Sequence, residues 1–545
     1  MTDAPVLVAG AGPVGAAAAL LLARWGVPTV VLEANQAREA VGSKAICVQR
    51  DVLDVLDRVG AAAAMLAEGV VWTRGRTYYR DHELFEISFP DAGRSALPPW
   101  INLSQCSTER HLFDQVARQP LVELRFGHQV TGVTQDAAGV TVQTRTPGGR
   151  GSLRGSHLVA ADGSRGTVRR LLGVEFPGRS FTDQFLIADI RAELPFPAER
   201  RFYFDPDWNP GRQVLVHEQP DHVWRIDWQV PGDYDLQAER ASGALEQRIR
   251  RIVGDAPYEI VWLSVYRFHQ RCAAAFRVGR VLLAGDAAHV FAPFGARGMN
   301  SGIQDAENLA WKLGFVRRGW ADGAAAEALL ASYDAERRAA ALVNLQVTNA
   351  TMEFLVPQTE AQRAWRRATL DRAVSDPEAR RRIDSGKLAE PYWYLDSPLT
   401  TPAGSLAGFP TEPGVARPPL PGVLCPDAPV TVEGRPDVTR VRRLFGDGFV
   451  VLLGSPAAVE AAAAAARGAT AAPAAAYALP DLDPTGGLAG ALRAGPGSVH
   501  LVRPDGHLAA VLLRFERDAL AAAVRRACGQ PALSLPSLTA PSGRR

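Results

Sequence analysis

Six residues near the start constrain this chain most: Gly10-Ala11-Gly12-Pro13-Val14-Gly15. An apolar run from Pro5 to Ala9 leads into them. A stretch of helical composition, Ala16 to Trp25, leaves them, and Val27 to Glu33 is apolar and β-branched again. Strand, glycine turn, helix and strand make a βαβ unit. Gly10 permits the tight turn, Gly12 lets a pyrophosphate approach the backbone, and Gly15 lets helix and strand pack closely. The helix N-terminus then faces the phosphates. Glu33 stands 21 residues after Gly12, where it can accept from a ribose hydroxyl. An acid there favours a ribose without a 2′-phosphate, hence FAD or NAD. A turn serving only to pack the chain needs neither the flanking strands nor Glu33.

The rest of the composition narrows the class. At 545 residues the chain has room for about three domains. Sixty basic residues against 58 acidic ones leave +2, which argues against a nucleic-acid or membrane-surface binder. Only three of the sixty are lysines: Lys44, Lys312 and Lys387. Cys47, Cys106, Cys272, Cys425 and Cys528 lie far apart with no CxxC and no zinc spacing, so reduced thiols and no metal site are expected. The N-terminus shows no signal-peptide pattern and no stretch of 18 apolar residues occurs; a cytoplasmic protein is the expectation.

Aromatic-rich stretches at 78–100 and 186–270, with alternation in Arg201 to Phe204 and Val223 to Val230, predict antiparallel strands of a second, sheet-based module. Helical patterning runs over Asn300 to Arg318 and again from about 340 to 375. Seven prolines between 396 and 422 mark a linker. Beyond it, strands at Gly448–Leu453, Ser498–Val502 and Leu508–Leu513 alternate with helices at Ala457–Arg467 and Ala519–Cys528.

Two further motifs carry chemistry. Leu158 to Arg169 runs an apolar strand into Asp162-Gly163, followed by Arg165 and Arg169. Taken alone, that dipeptide is also an ordinary turn. Gly279 to Asn300 delivers Asp286 to a strand tip, then passes through a Pro/Gly loop to a helix start near Gly298. A carboxylate at a strand tip can bind a sugar-like hydroxyl, and a helix N-terminus can stabilise an anion; a purely structural role fits this constellation equally well.

Together, in this order and spacing, the three motifs resemble the single-component (class A) FAD-dependent aromatic hydroxylases, which include para-hydroxybenzoate, phenol, hydroxyphenylpropionate and aromatic-polyketide hydroxylases. The resemblance implies an α/β fold: a Rossmann-like FAD-binding domain of the glutathione-reductase type, an inserted antiparallel substrate sheet, and a thioredoxin-like C-terminal domain. The implied segments are 1–76, 101–185 and 276–400 for FAD, 77–100 and 186–275 for substrate, and 401–545 for linker and C-terminal domain.

It implies these FAD contacts: Gly10, Gly12, Pro13, Val14, Gly15, Glu33 and Ala34 on the ADP part; Gln105 on the ribityl–phosphate arm; Val130 on the adenine side. Asp162 and Gly163 would serve both FAD and the nicotinamide cofactor, with Asp286 on the ribityl chain. Pro293, Gly298, Met299 and Asn300 would lie beneath the flavin ring. The family's arginine-alanine reads Lys44-Ala45 here, and its GGQG loop reads Gly295-Ala296-Arg297-Gly298; both substitutions keep or add positive charge near the flavin. Lys44 and Lys312 both fall inside family motifs, which makes Lys44 a flavin-site candidate.

The implied reaction takes electrons from NADH or NADPH, adds O₂ to the reduced flavin to form a C4a-hydroperoxide, and hydroxylates a phenolic ring. Candidate substrate contacts are Tyr203, His217, Arg225, Asp227, Tyr266 and Pro293. Arg225 and Asp227 share one strand face. They can line a site or simply stabilise the sheet, and whether His217 joins them depends on a hairpin register that sequence does not set. His289 reads as a structural element rather than a base. Two other functions stay open: a tailoring oxygenase acting on a polycyclic polyketide by hydroxylation, epoxidation or Baeyer–Villiger insertion, and a non-catalytic FAD-binding regulatory or docking protein. The C-terminal domain, lacking CxxC, suggests docking or a homodimer rather than redox work.

Overall fold

The computed structural model describes residues 4–38, 42, 45–89, 95–404, 406–412 and 415–530. The chain forms two compact units, residues 1–310 with 337–391 and residues 311–336 with 392–545.

In the first unit, the βαβ start builds a six-stranded sheet. Its order is Arg277–Val278, Val281–Leu283, His157–Ala160, Val6–Ala9, Thr29–Leu32 and Val122–Arg125. The last five run parallel, and the four central strands are fully buried, as expected for strands covered on both faces. The helix Pro13–Arg24 crosses between the first pair, with proline at its first turn.

The second sheet of this unit has eight strands. Their order is His289–Val290, Tyr258–Cys272, Gly178–Ala192, Val223–Val230, Gln213–Gln219, Arg200–Phe204, Arg74–Tyr79 and His82–Ser88. One junction departs from the expected antiparallel pattern: Arg200–Phe204 and Arg74–Tyr79 run parallel. They come from separate excursions of the chain, so no hairpin turn dictates their direction.

Alternation along the strands separates two apolar faces. Leu186, Ala188, Ile190, Val214, Val216, Trp224, Ile226 and Trp228 pack with Leu245, Ile249 and Val253 of the helix Ala244–Val253. The opposite face sets Phe185, Phe202, Phe204 and Phe268 against Ala292, Phe294, Met352, Leu355 and Leu370. Each fully buried side chain of this size contributes roughly 1.5–3 kcal/mol, so the sheet is clamped from both sides.

In the second unit, a four-stranded sheet has the order Ala474–Ala478, Phe449–Leu453, Val499–Val502, Leu508–Leu512. The first pair is parallel and the other two are antiparallel, and the helices Val459–Ala469 and Arg517–Ala527 pack together. This is the expected thioredoxin-like arrangement. The unit also contains residues 311–336, which the sequence reading places with the FAD-binding part. Within it Phe315 meets Phe449 edge-on at 5.8 Å, and Lys312 and Glu336 enter a buried charge network with Arg503.

Candidate active site

The glycine turn is built by close approach. Gly10 has φ +95°, and a methyl group there would lie 2.4 Å from the Ala161 carbonyl oxygen. A methyl on Gly15 would lie 2.0 Å from the Gly10 carbonyl oxygen. Neither position admits a side chain. Gly12 differs, because a methyl there meets nothing within 4 Å. The space above Gly12 is the cradle a pyrophosphate requires, in front of the Pro13–Arg24 helix. Gly163 and Gly298 open onto space in the same way. Glu33 accepts from Ala11 N (2.8 Å) and Asn35 N (2.9 Å), tying its strand tip to the turn. Each carboxylate oxygen keeps further acceptor capacity. Ala34 is exposed beside it.

The third motif closes on Val14 of the first. A methyl on Gly302 would lie 2.5 Å from Val14 Cγ2, and one on Gly285 2.9 Å from it. Asp162 Oδ2 accepts from Val168 N at 2.9 Å, while Oδ1 is buried without a partner. Burial raises the Asp162 carboxyl above its ordinary range, although backbone N–H groups oppose it. Arg169 bridges two motifs, donating to the Ala287 carbonyl (2.8 Å) and the Ser164 carbonyl (3.0 Å) over the ring of Phe176. Asp286 is exposed between buried Gly285 and Ala287.

Behind the Asp286 loop lies a network the sequence reading did not find. Buried Asp305 accepts from Gly285 N (3.0 Å), His289 Nε2 (2.7 Å) and Arg337 Nε (2.6 Å). Burial would raise its pKa, but His289 and Arg337 outweigh that and hold it low. His289 is thereby a structural element, as expected. Asp305 lies in the helix that carries the family motif, but only the fold reveals that it grips the Asp286 loop from behind.

The loop before the helix Arg297–Arg317 bends through Gly295 (φ +90°) and Ala296 (φ +57°), with Ala296 N donating to the Pro293 carbonyl. Pro293 is exposed between buried Ala292 and Phe294; Met299 and Asn300 are buried. Asn300 ties the helix start to the strand Cys47–Gln49, accepting from Gln49 N (3.1 Å) and donating to the Cys47 carbonyl (3.0 Å).

The added charge expected at Arg297 is not presented to a ligand. Its guanidinium is buried and donates to the carbonyls of Lys387 (2.5 Å) and Leu388 (3.4 Å) and to Asn344 Oδ1 (3.0 Å). Lys44 lies outside the described residues. Lys312 is held in the second unit, so its place in a motif does not make it a flavin ligand. Ala45 is half-buried ahead of the Cys47–Gln49 strand. Gln105 begins the helix Gln105–Val116, capped by Ser104, and donates to Glu109 Oε1 at 2.9 Å. Val130 is buried in the strand Gln129–Gln135 of a separate three-stranded sheet.

Register settles the substrate candidates. Asp189, Arg225 and His217 are direct cross-strand neighbours, with Trp262 opposite Asp189 on its other side. One step along, Ser264, Ile187, Asp227 and Leu215 form the next row. His217 therefore does share a face with Arg225 and Asp227. Tyr266 is on that face too, opposite Phe185. Burial and the Asp286 charge raise the Tyr266 phenol. Tyr203 does not join them. Its ring packs on the other face, stacked on Tyr78 at 4.9 Å and edge-on to Trp208 at 5.6 Å.

Arg225 forks onto Asp189, Nε to Oδ1 and Nη2 to Oδ2, both at 2.7 Å. Gln219 adds a bond to Asp189 Oδ1 at 2.9 Å. Asp227 Oδ1 is shielded from solvent and has no partner. His217 is buried against Trp72 (5.7 Å), and its Nδ1 lies 3.4 Å from Asn102 Nδ2. Burial, then Arg200 and Arg225, push His217 well below its ordinary range, so it stays neutral.

Sequence reasoning missed the rest of this wall. Trp72 and Trp100 stack at 5.6 Å, and Asn102 Oδ1 accepts from Trp72 Nε1 (2.8 Å) and Cys47 Sγ (3.1 Å). Buried Arg200 donates to the Ser385 carbonyl, leaves Nη1 unpartnered, and has its pKa lowered to about 10 by burial.

Comparison with known proteins fits this geometry. Residues 3–348 match the FAD binding domain family, and residues 418–531 match the aromatic-ring hydroxylase C-terminal family. The chain belongs to the FAD-dependent aromatic-ring hydroxylases. This hydroxylase is 32% identical over 389 residues to para-nitrophenol 4-monooxygenase of Pseudomonas sp. (strain WBC-3), spanning 70% of this chain and 90% of that one. It is 34% identical over 363 residues to a 3-(3-hydroxy-phenyl)propionate/3-hydroxycinnamic acid hydroxylase of Paraburkholderia xenovorans (strain LB400), covering 65% of this chain but only 56% of that one. Among solved structures, it shares the fold of the flavin-dependent monooxygenase PieE, determined with FAD and substrate: TM-score 0.82 at 23% identity, over 97% of this chain and 99% of PieE. OxyS anhydrotetracycline hydroxylase from Streptomyces rimosus superposes with TM-score 0.71 at 29% identity, over 97% of this chain and all of OxyS. The hydroxylase is an FAD-dependent monooxygenase. No helix among the described residues is long and apolar enough to cross a membrane.

Proposed function

We propose that this hydroxylase uses NADH or NADPH and O₂ to hydroxylate a phenolic aromatic compound. The observation that carries the substrate class is the sheet face bearing Asp227, His217 and Arg225 beside Trp72 and Trp100. It offers aromatic walls and a hydrogen-bond acceptor without a partner, which suit an aromatic hydroxyl. Arg225 is already neutralised by Asp189, so the face does not demand an anionic substrate.

FAD, once bound and reduced, supplies the activation of O₂. The chain supplies the holding. Gly10, Gly12, Pro13, Val14 and Gly15 would cradle the pyrophosphate, and Glu33 with Ala34 would meet the adenosine ribose. Val130 would lie on the adenine side. Gln105, Asp162, Gly163 and Asp286 would hold the ribityl arm, and Ala45, Pro293, Gly298, Met299 and Asn300 the ring end. The N–H groups at the start of the Arg297–Arg317 helix would favour negative charge on the ring. The nicotinamide cofactor would visit transiently, since the chain has one glycine fingerprint. We place the enzyme in the cytoplasm, with a homodimer formed through its second unit.

One observation favours a second reading, oxidation of a polycyclic polyketide. OxyS, an anhydrotetracycline hydroxylase, matches this chain through both units, whereas the nitrophenol monooxygenase spans 70% of it.

The test is NADH and NADPH oxidation by the FAD-loaded enzyme with 4-nitrophenol, 3-(3-hydroxyphenyl)propionate and 1,8-dihydroxyanthraquinone. Stimulation by a one-ring phenol, with a product heavier by one oxygen, is expected. Stimulation by the anthraquinone alone selects the second reading, and none by any aromatic contradicts both.

A further inference from the structure

The acid at position 227 sits differently from the other acid on its sheet face, Asp189. Its cross-strand neighbours are Ile187 on one side and Leu215 on the other, and neither can donate a hydrogen bond. Asp189, one row away, is bonded by Arg225 twice and by Gln219 once. Asp227 Oδ1 is cut off from solvent with nothing bonded to it, yet the residue remains partly accessible between buried Ile226 and Trp228. A carboxylate retained only to hold the sheet would be saturated as Asp189 is. A buried acceptor without a donor is destabilising, and a hydrogen bond from a ligand hydroxyl to this carboxylate would offset that.

We propose that Asp227 is the catalytic base that takes the proton from the reacting hydroxyl of the phenolic substrate. This rests on the function proposed above. In the step, the substrate O–H bond breaks, the proton passes to the Asp227 carboxylate at its accessible edge, and the electron pair stays on the phenolate oxygen. No electron leaves the substrate, and no further reagent is consumed. The phenolate enriches the ring positions ortho and para to it, which is what an electrophilic oxygen transfer requires.

The surroundings set the acid strength for this task. Burial raises the Asp227 carboxyl most; Arg225 lowers it and Asp189 raises it, leaving it at about 7. Cys47 faces the same group from the Cys47–Gln49 strand, its thiol pushed to about 12 chiefly by burial, so it stays protonated. His217 is neutral, and Arg200 adds positive potential through its effect on Cys47 and His217. Asp227 therefore changes charge near neutrality. A general base works best with a pKa close to the working pH.

Two measurements on the FAD-loaded enzyme test this. The first needs no substrate: infrared difference spectra between about pH 5 and about pH 9, wild type against Asp227→Asn. A carboxyl band titrating near neutrality and absent from the variant is expected. A carboxyl already ionised at about pH 5 overturns the proposal and leaves the proposed function standing. The second is the pH profile of hydroxylation. With 3-(3-hydroxyphenyl)propionate, wild-type kcat/KM should rise through about pH 7 as Asp227 loses its proton. Asp227→Asn, with FAD content unchanged, should fall about 100-fold, mostly in kcat, with its limb displaced towards the phenol's own ionisation. The loss should be smaller for 4-nitrophenol, which is already substantially ionised near neutrality. An Asp227→Asn enzyme within about threefold of wild type, or one with the same pH limb, overturns the proposal. If no phenol is turned over by wild type, the proposed function fails, and the assignment of Asp227 to a phenolic proton fails with it.

Discussion

Each unit of this hydroxylase buries a cluster of charges, and the two clusters are finished differently. In the second unit, Arg503 donates to Glu336 from Nη1 (2.6 Å) and Nη2 (3.0 Å), and to Asp505 from Nε (3.1 Å) and Nη2 (2.5 Å). Lys312 Nζ and Ser397 Oγ donate to the remaining sides of Glu336 at 2.7 and 2.5 Å, and every buried polar atom of the four charged side chains has a partner. Arg503 and Lys312 overcome the cost of burying Glu336 and keep it ionised, while burial lowers Lys312 to about 8. On the proposed substrate face of the first unit, Asp189 and Arg225 are matched just as well, but Asp227 Oδ1 and Arg200 Nη1 are left without partners. A complete network specifies a fold, whereas an incomplete one leaves hydrogen-bonding capacity that a ligand can use.

That contrast is open to experiment. Glu336→Ala removes the carboxylate that Lys312 shares with Arg503 in the second unit, leaving Arg503 only Asp505, so a loss of about 3–5 kcal/mol in chemical denaturation is expected. Wild-type stability in that variant would break the comparison, by showing the network to be energetically idle.

Asp227→Asn should move stability the other way. The folded-state pKa of Asp227 is about 7 against an ordinary value of 3.8, so the folded protein holds this proton more tightly than the unfolded chain does. The penalty for ionising it is absent below about pH 4, grows as the pH rises towards about 7, and is fully present above that. The variant should therefore exceed wild type by about 1–3 kcal/mol at about pH 8 and match it at about pH 4. Equal stability at both pH values would mean that Asp227 is solvated like a surface carboxylate. The smallest effect belongs to Ser397→Ala, which removes one hydroxyl from an otherwise complete network and should cost about 1 kcal/mol. A cost as large as that of Glu336→Ala would show that the network acts as a single unit.

The cofactor side of the site was legible because its signals are local. Gly10, Gly12 and Gly15 fall within one short motif, although what crowds Gly10 is the Ala161 carbonyl of another strand, and Asp162 and Asp286 each follow a strand of the same parallel sheet. The substrate side was half legible. Arg225 and Asp227 share a face by alternation alone, but His217 joins them, and Tyr203 does not, only through pairings across separate strands. The pairing of Asp189 with Arg225 likewise depends on long-range register. Trp72, Asn102 and Cys47 come from a small three-stranded sheet whose strands are three residues each, too short for periodicity to announce them. The rarity of lysine drew attention to Lys312, but what singles it out is a buried partner, Glu336, 24 residues away.

The central claim, an FAD-dependent monooxygenase acting on an aromatic hydroxyl compound, is tested most directly by isotope tracing. The FAD-loaded enzyme is supplied with NADH or NADPH, the stimulating phenol, and either labelled oxygen gas or labelled water. One labelled atom in the product from O₂ and none from water is the expected result. Label arriving from water, or phenol-stimulated nicotinamide oxidation that yields only hydrogen peroxide at every pH, would contradict it.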